Sequence, residues 1–137
     1  MQTHTGSCLC GVVRYRIDAP IDELTHCHCK MCRKAHGAAF ASYASYASVP
    51  LDALYFMSGK DQLGVYHSSE HVTRTFCIRC GSNLLFVDNR EHEVGVAAGT
   101  LDSPLPAPPQ SHIFVDSKAA WYEIHDALPQ HNGDSPR

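Results

Sequence analysis

Long apolar runs are missing from this chain: no stretch approaches the roughly 18 consecutive apolar residues that a membrane-spanning helix requires. The opening segment, Met1-Gln2-Thr3-His4-Thr5-Gly6, carries no basic n-region of Lys or Arg and leads into no apolar stretch, so the expected compartment is the reducing cytoplasm. Positive charge is not in excess. With 11 Lys and Arg against 14 Asp and Glu, the net charge is −3, which argues against nucleic acid or an anionic membrane surface as the main partner. No internal repeat is visible beyond two Cys-Gly turns. What remains is a 137-residue chain, 44% apolar and 18% charged, long enough to bury a core as one domain. That domain is assigned to residues 1–129, with the polar stretch 130–137 as a flexible, frayed tail.

An even cysteine count is also lacking. Seven cysteines cannot all pair, and a reducing compartment favours metal binding over disulfides. They fall in three clusters: Cys8-Leu9-Cys10-Gly11, Cys27-His28-Cys29-Lys30-Met31-Cys32, and Cys77-Ile78-Arg79-Cys80-Gly81. Thiols packed as C-x-C-x-x-C are poorly placed for disulfides among themselves, yet they can converge on one soft ion. Seven ligands fall one short of the eight that two closed tetrahedral zinc sites need, so one closed four-thiolate site and one open three-thiolate site is the natural division. Two assignments fit the spacing. Cys29 and Cys32 with Cys77 and Cys80 would make a zinc ribbon and strand Cys8, Cys10 and Cys27. Alternatively, Cys8, Cys10, Cys77 and Cys80 form the closed site, leaving Cys27, Cys29 and Cys32 open. The Cys-Gly turn shared by the first and third clusters, and lacking in the second, favours this second division.

The rest of the chain reads as mostly β. Strands are expected on either side of the first cysteine pair within residues 6–18, where Val13, Tyr15 and Ile17 alternate with polar neighbours. Further strands are expected at 38–49, 54–57, 64–67, 73–76, 84–87, 93–98 and 113–115. Phe40, Tyr43 and Tyr46 are expected as core or pocket wall. Residues 30–36 read as one short helix stopped by Gly37, with Cys32 on its first turn. The proline-rich segment 103–109 is a loop, and Trp121 and Tyr122 are expected to anchor the C-terminal segment in the core.

Six stretches together resemble one family. They are Gly6-Ser7-Cys8-Leu9-Cys10-Gly11, the triplet from Cys27 to Lys34, Phe76-Cys77-Ile78-Arg79-Cys80-Gly81-Ser82, Ala98-Gly99-Thr100-Leu101-Asp102, His112-Ile113-Phe114-Val115, and the late Trp121. The family is that of the glutathione-dependent formaldehyde-activating enzymes, also called centromere-protein-V-like, and the resemblance spans roughly Gly6 to Pro129. It implies an Mss4-like, mostly β fold of short sheets around a structural zinc. It further implies that Cys8, Cys10, Cys77 and Cys80 hold that zinc, that Cys27, Cys29 and Cys32 hold a catalytic zinc, and that the activity is a carbon–sulfur lyase like S-(hydroxymethyl)glutathione synthase.

Three thiolates on Zn²⁺ leave the centre formally at −1, which blunts its power to acidify water and suits it to a soft thiol. A thiol activated there would attack a small electrophile such as formaldehyde to give an S-hydroxymethyl thiol. Glutathione would bring two carboxylates, for which Lys30, Arg33 and Lys34 are the expected partners; Arg74 and Arg79 are placed beside the third cluster. His26, His28 and His36 each have two readings: a fourth ligand or proton shuttle for the triplet, or a histidine on the surface or packed behind the ligands. The competing function is a zinc-stapled, non-catalytic binding module with two structural sites.

Overall fold

The computed structural model describes residues 3–45, 53–90, 93–106 and 108–134. Ten strands and one helix organise them. A three-stranded antiparallel sheet runs in the order β1-β2-β5, formed by β1 (His4–Ser7), β2 (Arg14–Ile17) and β5 (Leu54–Ser58). The other seven strands are β3 (Glu23–Cys27), β4 (Ala41–Ser45), β6 (Leu63–His67), β7 (Val72–Cys77), β8 (Asn83–Asp88), β9 (Glu93–Ala97) and β10 (Gln110–Ile113). They form one sheet in the order β10-β3-β4-β9-β8-β7-β6, antiparallel except for the β10–β3 pair. The fold is therefore mostly β with one short helix, as the sequence indicated.

The alternation along β2 does what its period requires: Val13, Tyr15 and Ile17 are buried. They pack with Leu84, Val94 and Val96 from the larger sheet, and Cys8 and Cys77 lie in the same core. Each such side chain contributes about 1.5–3 kcal/mol when fully buried, so the four-cysteine cluster sits at the edge of the most heavily packed region. A second, smaller apolar cluster contains Cys27, Cys32, Ala41, Tyr43 and Ile113.

Helix α1 (Lys30–His36) has seven residues, too short to persist by propensity alone. Its two ends are fixed by local caps, of which the sequence marked Gly37. Cys29 is the N-cap, its sulfur accepting the Cys32 N–H, and Gly37 takes the left-handed C-terminal conformation with φ 59°.

Two expectations change. Residues 113–115 are not a strand: β10 ends at Ile113, Phe114 turns to φ 55°, and Val115–Ser117 form a 3₁₀ turn. Trp121 is 73% exposed and anchors no core, because it lies outside both packed clusters, while its neighbour Tyr122 is half-buried against Phe40. Backbone bonds join His112 N–H to Pro129, His131 N–H to His112 and Phe114 N–H to Gly133, so residues 129–133 run beside β10. Residues 135–137 of the expected tail lie outside the described residues, as do positions 46–49 of the strand expected at 38–49, and position 107 of the expected loop.

Candidate metal centre

Two cysteine groups converge, and they are the two the Cys-Gly turn favoured. The sulfurs of Cys8, Cys10, Cys77 and Cys80 lie within 4.8 Å of one another, and those of Cys27, Cys29 and Cys32 do likewise. The zinc-ribbon pairing of Cys29 and Cys32 with Cys77 and Cys80 does not occur.

In the four-cysteine group, two similar turns face each other. Gly11 and Gly81 adopt φ 82° and 80°, and their N–H groups bond back to the carbonyls of Cys8 and Cys77. Ser82 ties the turns together, its hydroxyl accepting the Leu9 N–H and lying 3.3 Å from Cys80 Sγ. Sulfurs stand 3.6 Å apart for Cys8–Cys10 and 3.9 Å for Cys10–Cys77. For a metal–sulfur bond of about 2.3 Å the edge of a tetrahedron is about 3.8 Å. The donor set and its spacing thus fit a closed tetrahedral thiolate site.

The triplet is built differently. Cys27 ends β3, Cys29 caps α1 and Cys32 occupies its first turn. All three sulfur-bearing residues line a cavity of about 430 Å³. Cys8, Cys10, Cys77 and Cys80 do not line it. Among the described residues no histidine or carboxylate joins the triplet. Three convergent thiols facing a cavity fit a soft ion with one coordination position left for an outside ligand.

Cys32 Sγ accepts hydrogen bonds from Tyr43 Oη at 3.4 Å and Arg74 Nη2 at 3.6 Å. Bonds from Cys27 and Cys29, then those from Tyr43 and Arg74, outweigh the cost of burial and hold Cys32 well below the usual thiol range. Cys27 moves the opposite way: its bonds with Cys29 and Cys32, and then burial, push it far up. Arg74 is only 7% exposed. Burial works against its charge, but the bond to Cys32 and the nearby Tyr43 prevail, so its pKa rises.

The histidines resolve in the direction of packing. Along β3, Thr25 and Cys27 face the cavity, whereas His26 bonds Ser42 and Gln110 on the other face. His28 is completely buried there, with Nε2 2.8 Å from His112 Nδ1; His112 Nε2 in turn lies 3.0 Å from Asp126 Oδ2. Burial, helped by the nearby His112, His26, Lys118 and Arg33, lowers His28 to about 4. His36 Nε2 reaches Tyr43 Oη at 3.3 Å rather than a cysteine. Each of the three is thus a supporting group, not a fourth ligand.

The cations are redistributed. Lys30, Arg33 and Lys34 do not line the cavity; Arg74 and Arg90 do. Arg74 was placed beside the third cysteine cluster by its distance of three residues from Cys77. An odd spacing on a strand puts two side chains on opposite faces, and so Arg74 meets the triplet while Cys77 enters the other core. The period-2 signal was available; the partner across the sheet was not.

The sequence model of the family described as "Glutathione-dependent formaldehyde-activating enzyme" matches residues 3–117. A Halomonas elongata protein, named as a candidate glutathione-dependent formaldehyde-activating enzyme, is 36% identical over 136 residues, covering 87% of this chain and 79% of that one. An uncharacterized lyase of Schizosaccharomyces pombe is 28% identical over 86 residues, 63% of this chain and 58% of that protein. The crystal structure of a Rhodobacter sphaeroides protein superposes with a TM-score of 0.62 at 23% identity, covering 78% of this chain and 99% of that one. The last is a likeness of fold. The family match and the Halomonas relative together show that this chain belongs to the glutathione-dependent formaldehyde-activating enzyme family.

Proposed function

We propose that this member of the family is a zinc-dependent carbon–sulfur lyase-type enzyme acting on the adduct of a thiol, glutathione or another, with formaldehyde or a related small aldehyde. One observation carries the reading: three convergent thiols line a cavity of about 430 Å³, and no fourth protein ligand joins them among the described residues. Zinc is the ion that all-thiolate donor sets of this spacing suit, with one ion in each cysteine group. The same proposal keeps the protein in a reducing, cytoplasmic setting, where free thiols persist.

When bound at the triplet, zinc would supply the Lewis acidity that favours the thiolate form of an incoming thiol at neutral pH. The chain's own residues do the remaining work. Cys27, Cys29 and Cys32 would hold the ion, and Tyr43 and Arg74 draw negative charge from Cys32 Sγ by donating to it. Val72, Phe86, Ile113 and Phe114 give the cavity apolar walls that limit water near the reacting sulfur. In the forward direction the sulfur forms a bond to the carbonyl carbon, the carbon–oxygen π bond breaks, and the thiol proton ends on that oxygen. The lyase direction reverses each step.

Thiols add to formaldehyde unaided, so the test is an exchange rate measured by NMR against that background. Zinc-loaded protein should accelerate exchange between glutathione and its formaldehyde adduct, and the Cys27→Ser, Cys29→Ser double variant should not. An exchange rate equal to the background with every thiol tried would remove the enzymatic reading and leave the non-catalytic module.

A further inference from the structure

The two arginines at the cavity differ in what neutralises them. Arg90 forms a two-pronged ion pair with Asp88, with Nη2–Oδ2 at 2.9 Å and Nε–Oδ1 at 3.2 Å. Arg74 has no carboxylate partner among the described residues. Its Nε donates to Ser68 Oγ at 3.1 Å, Nη1 to Tyr43 Oη at 3.1 Å and Nη2 to Cys32 Sγ at 3.6 Å. A guanidinium has five N–H donors, so these three bonds leave one on each terminal nitrogen to meet a carboxylate. A buried cation without a carboxylate is costly unless something anionic accompanies it. The thiolates supply part of that charge.

We infer that Arg74 is a specificity-determining residue, its guanidinium forming the subsite for a carboxylate one or two carbons from the sulfur of the incoming thiol. The class of ligand is a compact mercapto-carboxylate. Proximity sets the compactness: Arg74 touches a triplet sulfur, so a carboxylate on it lies beside the sulfur-binding end of the cavity. On the same lining Arg90 is engaged by Asp88, and the helix cations Lys30, Arg33 and Lys34 are absent from it, so a second carboxylate meets no cation comparable to Arg74 there. The inference rests on the triplet being a thiol-accepting centre.

The test is calorimetric, on zinc-loaded protein with no aldehyde present, using mercaptoacetate and its neutral amide of the same size. Because these thiols differ in acidity, the readout is the ratio of their affinities in wild type divided by that ratio in Arg74→Gln. This quotient should be roughly tenfold or more in favour of the carboxylate, the scale of a hydrogen bond to a charged group. The amide's own affinity should move little. A quotient near one overturns the inference while leaving the proposed function intact, since both thiols still bind. An Arg74→Gln loss for glutathione as large as that for mercaptoacetate overturns the compact class. Failure of every thiol to bind the wild type overturns both readings together. Should Arg74→Gln not retain two zinc ions, Arg74→Lys carries the test: it keeps the charge but not the fork, and an undiminished carboxylate preference overturns the inference.

Discussion

Around Cys8, Cys10, Cys77 and Cys80 the protein provides glycine turns and the edge of a packed core; around Cys27, Cys29 and Cys32 it provides a buried arginine, a tyrosine and a cavity. The ligand chemistry is the same. The surroundings differ in where their hydrogen bonds go. In the four-cysteine group the turns bond mainly to their own backbone and to Ser82, which fixes sulfur positions. In the triplet, side chains from distant strands donate to one sulfur, which adjusts its charge. Clusters of equal composition are therefore told apart by what lies one layer out.

The comparison is broken most forcefully at the four-cysteine group. Cys8→Ser with Cys77→Ser should abolish the cooperative thermal transition, because structural zinc binding is commonly worth about 10–16 kcal/mol of apparent folding free energy. A well-folded double variant would mean that this group is dispensable. By contrast, Cys27→Ser with Cys29→Ser should lose one zinc per chain by metal analysis and still unfold cooperatively. Loss of the transition there would erase the distinction between the two groups.

A smaller effect separates ligand from support. Tyr43→Phe keeps the ring on Phe86 but removes a partner from Cys32, His36 and Arg74. The buried Arg74 N–H left without its acceptor should cost about 1–3 kcal/mol in urea unfolding, with both zinc ions retained. A change below about 0.3 kcal/mol would show that the network around Cys32 is slack.

His28 makes a prediction about pH. Its folded pKa, about 4, lies below the ordinary histidine value of 6.5, so between those values the unfolded chain binds the proton that the folded chain refuses. Its contribution to stability is full above about pH 6.5, falls as pH drops toward 4, and is lost below that. Imidazole nitrogen shifts in NMR should show His28 still neutral at pH 5.5. A protonated His28 there would contradict the burial argument. The smallest effect is expected at Trp121: with 73% of its surface exposed, Trp121→Ala should change stability by no more than about 0.5 kcal/mol.

Local signals were the legible ones. Gly11, Gly37 and Gly81 announced two knuckles and a helix stop, and all three adopt positive φ. The division of seven cysteines into four and three followed from ligand counting and from those turns. What needed the structure was everything set by non-local pairing. That Arg74 meets Cys32 depends on β7 reaching the cavity across β8 and β9. That His28 meets His112 depends on a parallel pairing of β10 with β3, 84 residues apart in sequence. The aromatic content of residues 121–122 suggested burial for both, yet Tyr122 packs on His28 and Phe40 while Trp121 meets Tyr122 and stays exposed, because apolar composition does not say which way a loop residue points.

The central claim is that one cysteine group is closed and the other open to a thiol. X-ray absorption at the zinc edge tests it directly. Seven thiolates shared by two ions predict about 3.5 sulfurs per zinc in the loaded protein, rising to about 4 when mercaptoacetate is added. A nitrogen ligand that persists unchanged as the thiol is added would contradict it.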